Sequence, residues 1–122
     1  MTQEIIIATG AFFGMFSVIF GAFGAHALKK ILSAEQLNSF EVGVQYQMYH
    51  AIVLLVLGFY APNITAAIYW CFTIGIVLFS FSIYGLILSS AKGKKFRFLG
   101  PVTPIGGLLL VIGWLLLLIN AF

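Results

Sequence analysis

The sequence predicts an all-α integral membrane protein, with four transmembrane helices in an antiparallel bundle and a short amphipathic helix between the first and second spans. Three observations carry this. First, 62% of the 122 residues are hydrophobic and 7% are charged, with no aspartate; a soluble domain carries about 25% charged residues. Second, four apolar stretches reach or approach the ~20 residues that a helix needs to cross a hydrocarbon core of ~30 Å. Third, all six Lys and Arg lie in two short segments between those stretches. The four stretches occupy most of the length, so the chain is expected to form one domain.

The first span is read over residues 5–25, which hold no charge. Ala25-His26-Ala27 has the form of a signal-peptide cleavage site. No Lys or Arg precedes the stretch, however, and Lys29-Lys30 follow it and resist translocation, so the helix is expected to be retained. Its small residues Gly10, Gly14, Ser17, Gly21 and Gly24 recur at steps of three and four. That spacing makes a helix-packing face, which a neighbouring backbone can approach closely.

After Lys30, Ser33-Ala34-Glu35-Gln36 has the S-x-x-Q form of a capping box, so a helix starts there. Leu37, Phe40 and Val44 fall on one side of it and suit the membrane surface. This helix either lies apart from the second span or runs into it, with Gly43 the natural place for a bend. The second span, residues 44–61, closes at Pro62-Asn63, and the third covers residues 66–90. A basic loop follows in which Lys92, Lys94, Lys95 and Arg97 are interleaved with Phe96 and Phe98. Pro101 and Pro104 then suit the first turn of a fourth span over residues 101–122. Four spans put both basic segments on one side. The positive-inside rule makes that side the cytoplasm of a multi-pass cell-membrane protein and leaves both termini outside.

Function has fewer signs. Ala51–Ala61 is an apolar run of only eleven residues, roughly half of a ~30 Å core at ~1.5 Å per residue. To span, this helix must carry part of F-E-V-G-V-Q-Y-Q-M-Y-H, residues 40–50, below the headgroups, where unpaired polar groups cost several kcal/mol each. Counting back from Ala61 puts His50 near the midplane, ~16 Å away, and Glu41 near the cytoplasmic interface, ~30 Å away. His26 ends the first span at the depth of Glu41. An intramembrane polar cluster of His26, Glu41, Gln45, Tyr46 and His50 is therefore expected, with Gln47 pointing elsewhere. Metal binding is not expected, because the two histidines lack a close ligand spacing. Cys71 reads as a core residue. No nucleotide-binding loop, nucleophile elbow or H-E-x-x-H motif is present, and three acidic residues give hydrolysis few actors, so neither enzyme activity nor a cofactor is expected.

The motifs G-A-F-G-A-H-A-L at residues 21–28 and F-E-V-G-V-Q-Y-Q-M-Y-H-A at residues 40–51 resemble the YgdD/YwdK family of small four-span bacterial membrane proteins (domain of unknown function 423). The similarity covers essentially the whole chain, with Gly21, Gly24, His26, Glu41, Gly43, Gln45, Tyr46 and His50 at the family's recurring positions. The resemblance implies the fold and this choice of residues but no reaction.

The expected function is thus a non-enzymatic module that binds lipid, a small hydrophobic molecule or a partner protein through the glycine face and the polar cluster. The alternative is a small oligomeric channel or transporter with a polar pathway at Glu41, Gln45 and His50. Lys92, Lys94, Lys95 and Arg97 are expected to hold anionic lipid headgroups, not nucleic acid. A homo-oligomer is also open: a small-residue face turned inward makes a self-contained bundle, and one turned outward makes an assembly. The orientation can be tested in a Cys71→Ala background with an impermeant maleimide on intact cells. Asn63→Cys should label from outside, and Lys94→Cys only after the membrane is opened; the reverse pattern would overturn the topology.

Overall fold

The structure is a computed structural model that describes residues 2–122. Among these residues its regular secondary structure is all helical, with no strand. Helix α1 spans Gln3–Leu28, α2 Ala34–Tyr60, α3 Ala66–Ala91 and α4 Val102–Asn120. At 26, 27 and 26 residues, the first three are each ~40 Å long and overhang a ~30 Å core.

Local chemistry sets the helix ends. Thr2 caps α1 by accepting from the Ile5 amide, and Thr65 caps α3 by accepting from Ile68. At Ser33 the capping box closes in both directions: the Gln36 amide donates to Ser33 Oγ at 3.1 Å, and the Ser33 amide donates to Gln36 Oε1 at 3.0 Å. Helix α3 ends in a Schellman turn, with the Lys94 amide on Ser89 O at 3.0 Å and the Gly93 amide on Ser90 O at 3.1 Å. That turn needs a left-handed residue, and Gly93 supplies it at φ 81°. A 3-10 turn, Arg97–Leu99, leads into α4. Pro104 stands in the first turn of α4, where its missing N–H would have no partner inside the helix.

The amphipathic turns after Ser33 form no separate surface helix. They run into the second span as one helix, which Gly43 does not interrupt. Its missing side chain serves packing: a Cβ on Gly43 would come 2.9 Å from the Tyr84 ring. Helix α1 likewise continues past residue 25, through a π-helical turn at Phe20–Gly24.

The helices pack chiefly as two hairpins, α1 on α2 and α3 on α4. Within their apolar stretches α2 and α3 are each 39% buried, against 22% for α1 and 17% for α4, so the outer pair presents most of its surface to lipid. The small residues of α1 turn inward onto α2. A Cβ on Gly10 would meet Ala51 O at 2.9 Å, one on Gly21 would meet Val44 Cγ1 at 3.3 Å, and Ser17 is buried. Gly14 and Gly24 face Ala51 and Phe40 on the same seam. In the other hairpin, α3 widens into a π-helical turn at Val77–Phe81, where Gly106 of α4 seats against the Leu78–Phe79 backbone.

The buried side chains form two apolar clusters. The larger, around Leu54, Ile68, Phe72 and Ile76, lies towards the end of the bundle that holds the α2–α3 connection. The smaller, of Leu32, Phe40, Tyr84 and Ile87, lies towards the basic loops. Buried Ser17, Gln47 and Ser80 also lie in the interior.

A Cβ on Gly106 would sit 2.6 Å from Leu78 C, whereas one on Gly107 would meet nothing nearer than the Phe79 ring at 3.5 Å. Gly106→Ala should therefore destabilise the protein by ~1–3 kcal/mol, because backbone cannot yield as a side chain can. Gly107→Ala should be close to neutral. Thermal unfolding of both variants in one detergent checks this, and equal effects would contradict the packing described.

Candidate functional site

The buried polar site centres on Gln47, which has no exposed surface. Its Nε2 donates to Phe13 O of α1 at 2.9 Å, and its Oε1 accepts from the Tyr84 hydroxyl of α3 at 2.7 Å. One amide thus bonds both neighbouring helices. Ser17 Oγ also donates to Phe13 O, at 2.8 Å. Beside this set, Ser80 Oγ donates to Gly43 O at 2.7 Å. Ser80 lies in the π-helical turn of α3 and Gly43 is one helical turn before Gln47, so two bonds join α2 to α3 at adjacent levels.

His50 makes the link to α4. Trp114 Nε1 lies 3.0 Å from His50 Nε2, and His50 Nδ1 lies 2.7 Å from Tyr46 O. An indole N–H can only donate, so Nε2 accepts, and Nδ1 carries the proton that it donates to the Tyr46 carbonyl. The imidazole is therefore neutral in this arrangement, with both nitrogens engaged. Rings enclose it: Phe72 at 5.7 Å, Trp114 at 5.9 Å and Tyr46 at 6.2 Å between centroids. Such a histidine has no free nitrogen for a metal or a relayed proton unless Trp114 moves.

The other members of the expected cluster lie elsewhere. His26, Glu41 and Gln45 are exposed on the outside of the bundle. Tyr46 is 42% exposed and reaches the site only through its ring, which lies against His50 and Phe79, and through its backbone carbonyl. Glu41, Gln45 and Tyr49 instead share the outer face of α2. Among the described residues no three His, Cys, Asp or Glu side chains gather into a metal site.

At the end that carries the basic loop there is an open groove of about 490 Å³. Ser39 and Val42 of α2 line it, with Ile83, Leu86 and Ile87 of α3 and Thr103 and Pro104 at the start of α4. Leu86 and Ile87 also line an adjoining hollow of about 180 Å³, where Gln36, Ser90 and Lys95 supply polar atoms. Lys92, Lys94, Lys95 and Arg97 are all exposed around this end. Phe96 and Phe98 project beside them, their rings 5.8 Å apart.

The profile of the family described as protein of unknown function (DUF423) matches residues 20–107. A UPF0382 membrane protein of Staphylococcus haemolyticus is 40% identical over 98% of this chain and 97% of its own length. The UPF0382 membrane protein YwdK of Bacillus subtilis is 35% identical over 98% and 97%. The chain belongs to the DUF423 family. It is a multi-pass membrane protein, and the names of these relatives assign no reaction. No solved structure matches it.

The segment matched by the DUF423 profile includes Gln47, His50, Ser80, Tyr84 and the basic loop, but neither Phe13 nor Trp114. Four bonding residues of the site lie outside the set drawn from the sequence: Gln47, Ser80, Tyr84 and Trp114. For Gln47 a signal existed, because Gly43, Gln47, His50 and Leu54 follow one another at steps of four and three, and the bare Gly43 marks that face as a contact. Nothing local marks Tyr84 and Trp114, which are 37 and 64 residues from their partners.

Removing the hydroxyl in Tyr84→Phe strands a buried amide oxygen and should cost ~1 kcal/mol or more. Gln47→Leu should cost at least as much. Because the two share one bond, the double variant should lose less than the sum. Unfolding in detergent measures the cycle; strict additivity would mean that the bond contributes nothing.

Proposed function

We propose that this protein is a non-enzymatic membrane module that holds an anionic amphiphile of the cytoplasmic leaflet at the groove beside the basic loop. The observation that carries this reading is that Leu86 and Ile87 line both the apolar groove and the hollow containing Gln36, Ser90 and Lys95. Acyl chain and headgroup then meet surfaces of matching polarity. The cationic loops supply the orientation, with both termini outside and Lys92, Lys94, Lys95 and Arg97 at the level of cytoplasmic headgroups. Phe96 and Phe98 beside them suit the interface.

Physical chemistry decides which part of the ligand is selected. A tail in the groove leaves a bilayer that is equally apolar, so burying it adds no hydrophobic driving force. Preference must come from the headgroup, where each Lys or Arg near the surface contributes ~1 kcal/mol towards an anionic lipid. The glycine face packs against α2, and both ends of the Gln47 amide and both ring nitrogens of His50 already bond to neighbours, so neither is offered as the contact.

The channel alternative has one observation in its favour, the outward polar file of Glu41, Gln45 and Tyr49. His50 does not belong to that file, so a route along it would run between copies and not through one bundle. Loss of flux in liposomes with Glu41→Ala, and no loss with His50→Ala, would favour it.

Native mass spectrometry of the purified protein with phosphatidylglycerol and phosphatidylcholine tests the lipid reading. The wild type should retain the anionic lipid preferentially. Lys95→Gln should weaken that retention about fivefold, the equivalent of ~1 kcal/mol. Leu86→Trp, which fills the junction of groove and hollow, should abolish it with helicity unchanged. Equal retention of both lipids, or no effect of either variant, would defeat the proposal.

A further inference from the structure

The outer face of α2 carries a second pattern that the bundle itself does not use. Asn38, Gln45, Ile52 and Phe59 recur every seven residues, and Val42, Tyr49 and Val56 recur every seven between them. Together they make an unbroken three–four alternation over most of a 27-residue helix. All are exposed except the half-buried Val42, with Tyr49 at 53%, Ile52 at 50%, Val56 at 52% and Phe59 at 60%. A strict seven-residue repeat drifts only ~20° per heptad around a helix, so the file stays on one face. This is the seam by which two helices pack side by side with knobs in holes. None of the side-chain hydrogen bonds among the described residues involves Gln45 or Tyr49.

Depth makes the seam more than a pattern. Gln45 lies sixteen residues before Ala61, ~24 Å along a core of ~30 Å, so its carboxamide is below the headgroups. Acyl chains offer it neither donor nor acceptor. We propose that a second copy of this chain covers the face, with the two α2 helices parallel about a twofold axis normal to the membrane. Every copy inserts the same way up, so a parallel pair is the symmetric contact open to this seam.

Complementarity singles out a copy over other occupants. A carboxamide is both donor and acceptor, so Gln45 at the axis satisfies Gln45 of its twin, whereas lipid satisfies neither. In the parallel register Glu41, on the flank of the seam, falls opposite the Tyr46 hydroxyl of the other copy, an acceptor facing a donor with no like charges opposed. The apolar half, Ile52, Val56 and Phe59, supplies close packing. A polar position within a mostly apolar heptad seam, as Gln45 is here, is also the device that fixes register and pair number. The proposal goes beyond the lipid reading and does not depend on it.

The test uses the full chain in membrane vesicles, with Cys71→Ala as background. Oxidation should cross-link Gln45→Cys, Ile52→Cys and Phe59→Cys into dimers. Val111→Cys and Leu118→Cys, equally exposed positions on α4 at 61% each, should stay monomeric. By subunit counting in nanodiscs the wild type should be a dimer, and Gln45→Leu should weaken it about fivefold, an interhelical hydrogen-bond effect of ~1 kcal/mol. Gln45 is exposed and, among the described residues, makes no side-chain hydrogen bond within its own bundle, so the unfolding temperature of the Gln45→Leu monomer should change little. A monomeric wild type with only lipid on this face would overturn the proposal. So would cross-linking of equal strength on α4, or a dimer indifferent to Gln45→Leu.

Discussion

A primary amide in hydrocarbon cannot be left unpaired, and the interior of this protein is arranged around that constraint. Gln47 is fully buried, and each end of its carboxamide reaches a different helix. Water is not at hand to compete for these groups, so geometry that would be optional in a soluble core is enforced here. Tyr84 must stand where its hydroxyl meets the amide, and Gly43 must be bare so that the Tyr84 ring can lie against α2.

Two kinds of contact divide the work of assembly. Within each hairpin the helices are brought close by glycine: Gly10 and Gly58 between α1 and α2, and Gly75, Gly106 and Gly113 between α3 and α4. Between the hairpins hydrogen bonds are prominent, from Tyr84 to Gln47, Ser80 to Gly43, Trp114 to His50 and between Thr9 and Tyr69. Close backbone approach gives each hairpin van der Waals contact that lipid cannot match, and the directional bonds set how one hairpin registers on the other.

The sequence carried the class of fold and the start of α2, because hydropathy and capping chemistry act over a few residues. Ser33 and Gln36 needed no partner from elsewhere to begin α2. The interior of the site was harder to read. Gln45 and Gln47 are the same side chain two positions apart, and on a helix that separates them by ~200°, so one faces in and the other out. Which is which depends on where the neighbouring helices stand. The π-helical turn at Val77–Phe81 was hidden for a related reason: it accompanies the seating of the α4 backbone at Gly106, a contact between distant parts of the chain. It also shifts every later position of α3 around the axis, so a wheel drawn from Ala66 does not forecast the direction of Tyr84.

The bond between Gln47 and Tyr84 has a consequence for synthesis. The two residues are 37 positions apart, which a ribosome adding ~5–20 residues per second covers in roughly 2–7 s. Within that interval the rest of α2 is made, and a first hairpin packed as in the finished protein offers Gln47 the Phe13 carbonyl as its acceptor. Its own oxygen has no donor from the chain until α3 arrives. The nascent hairpin therefore favours a wet neighbourhood at the insertion machinery, and docking of the second hairpin is what releases it into dry lipid.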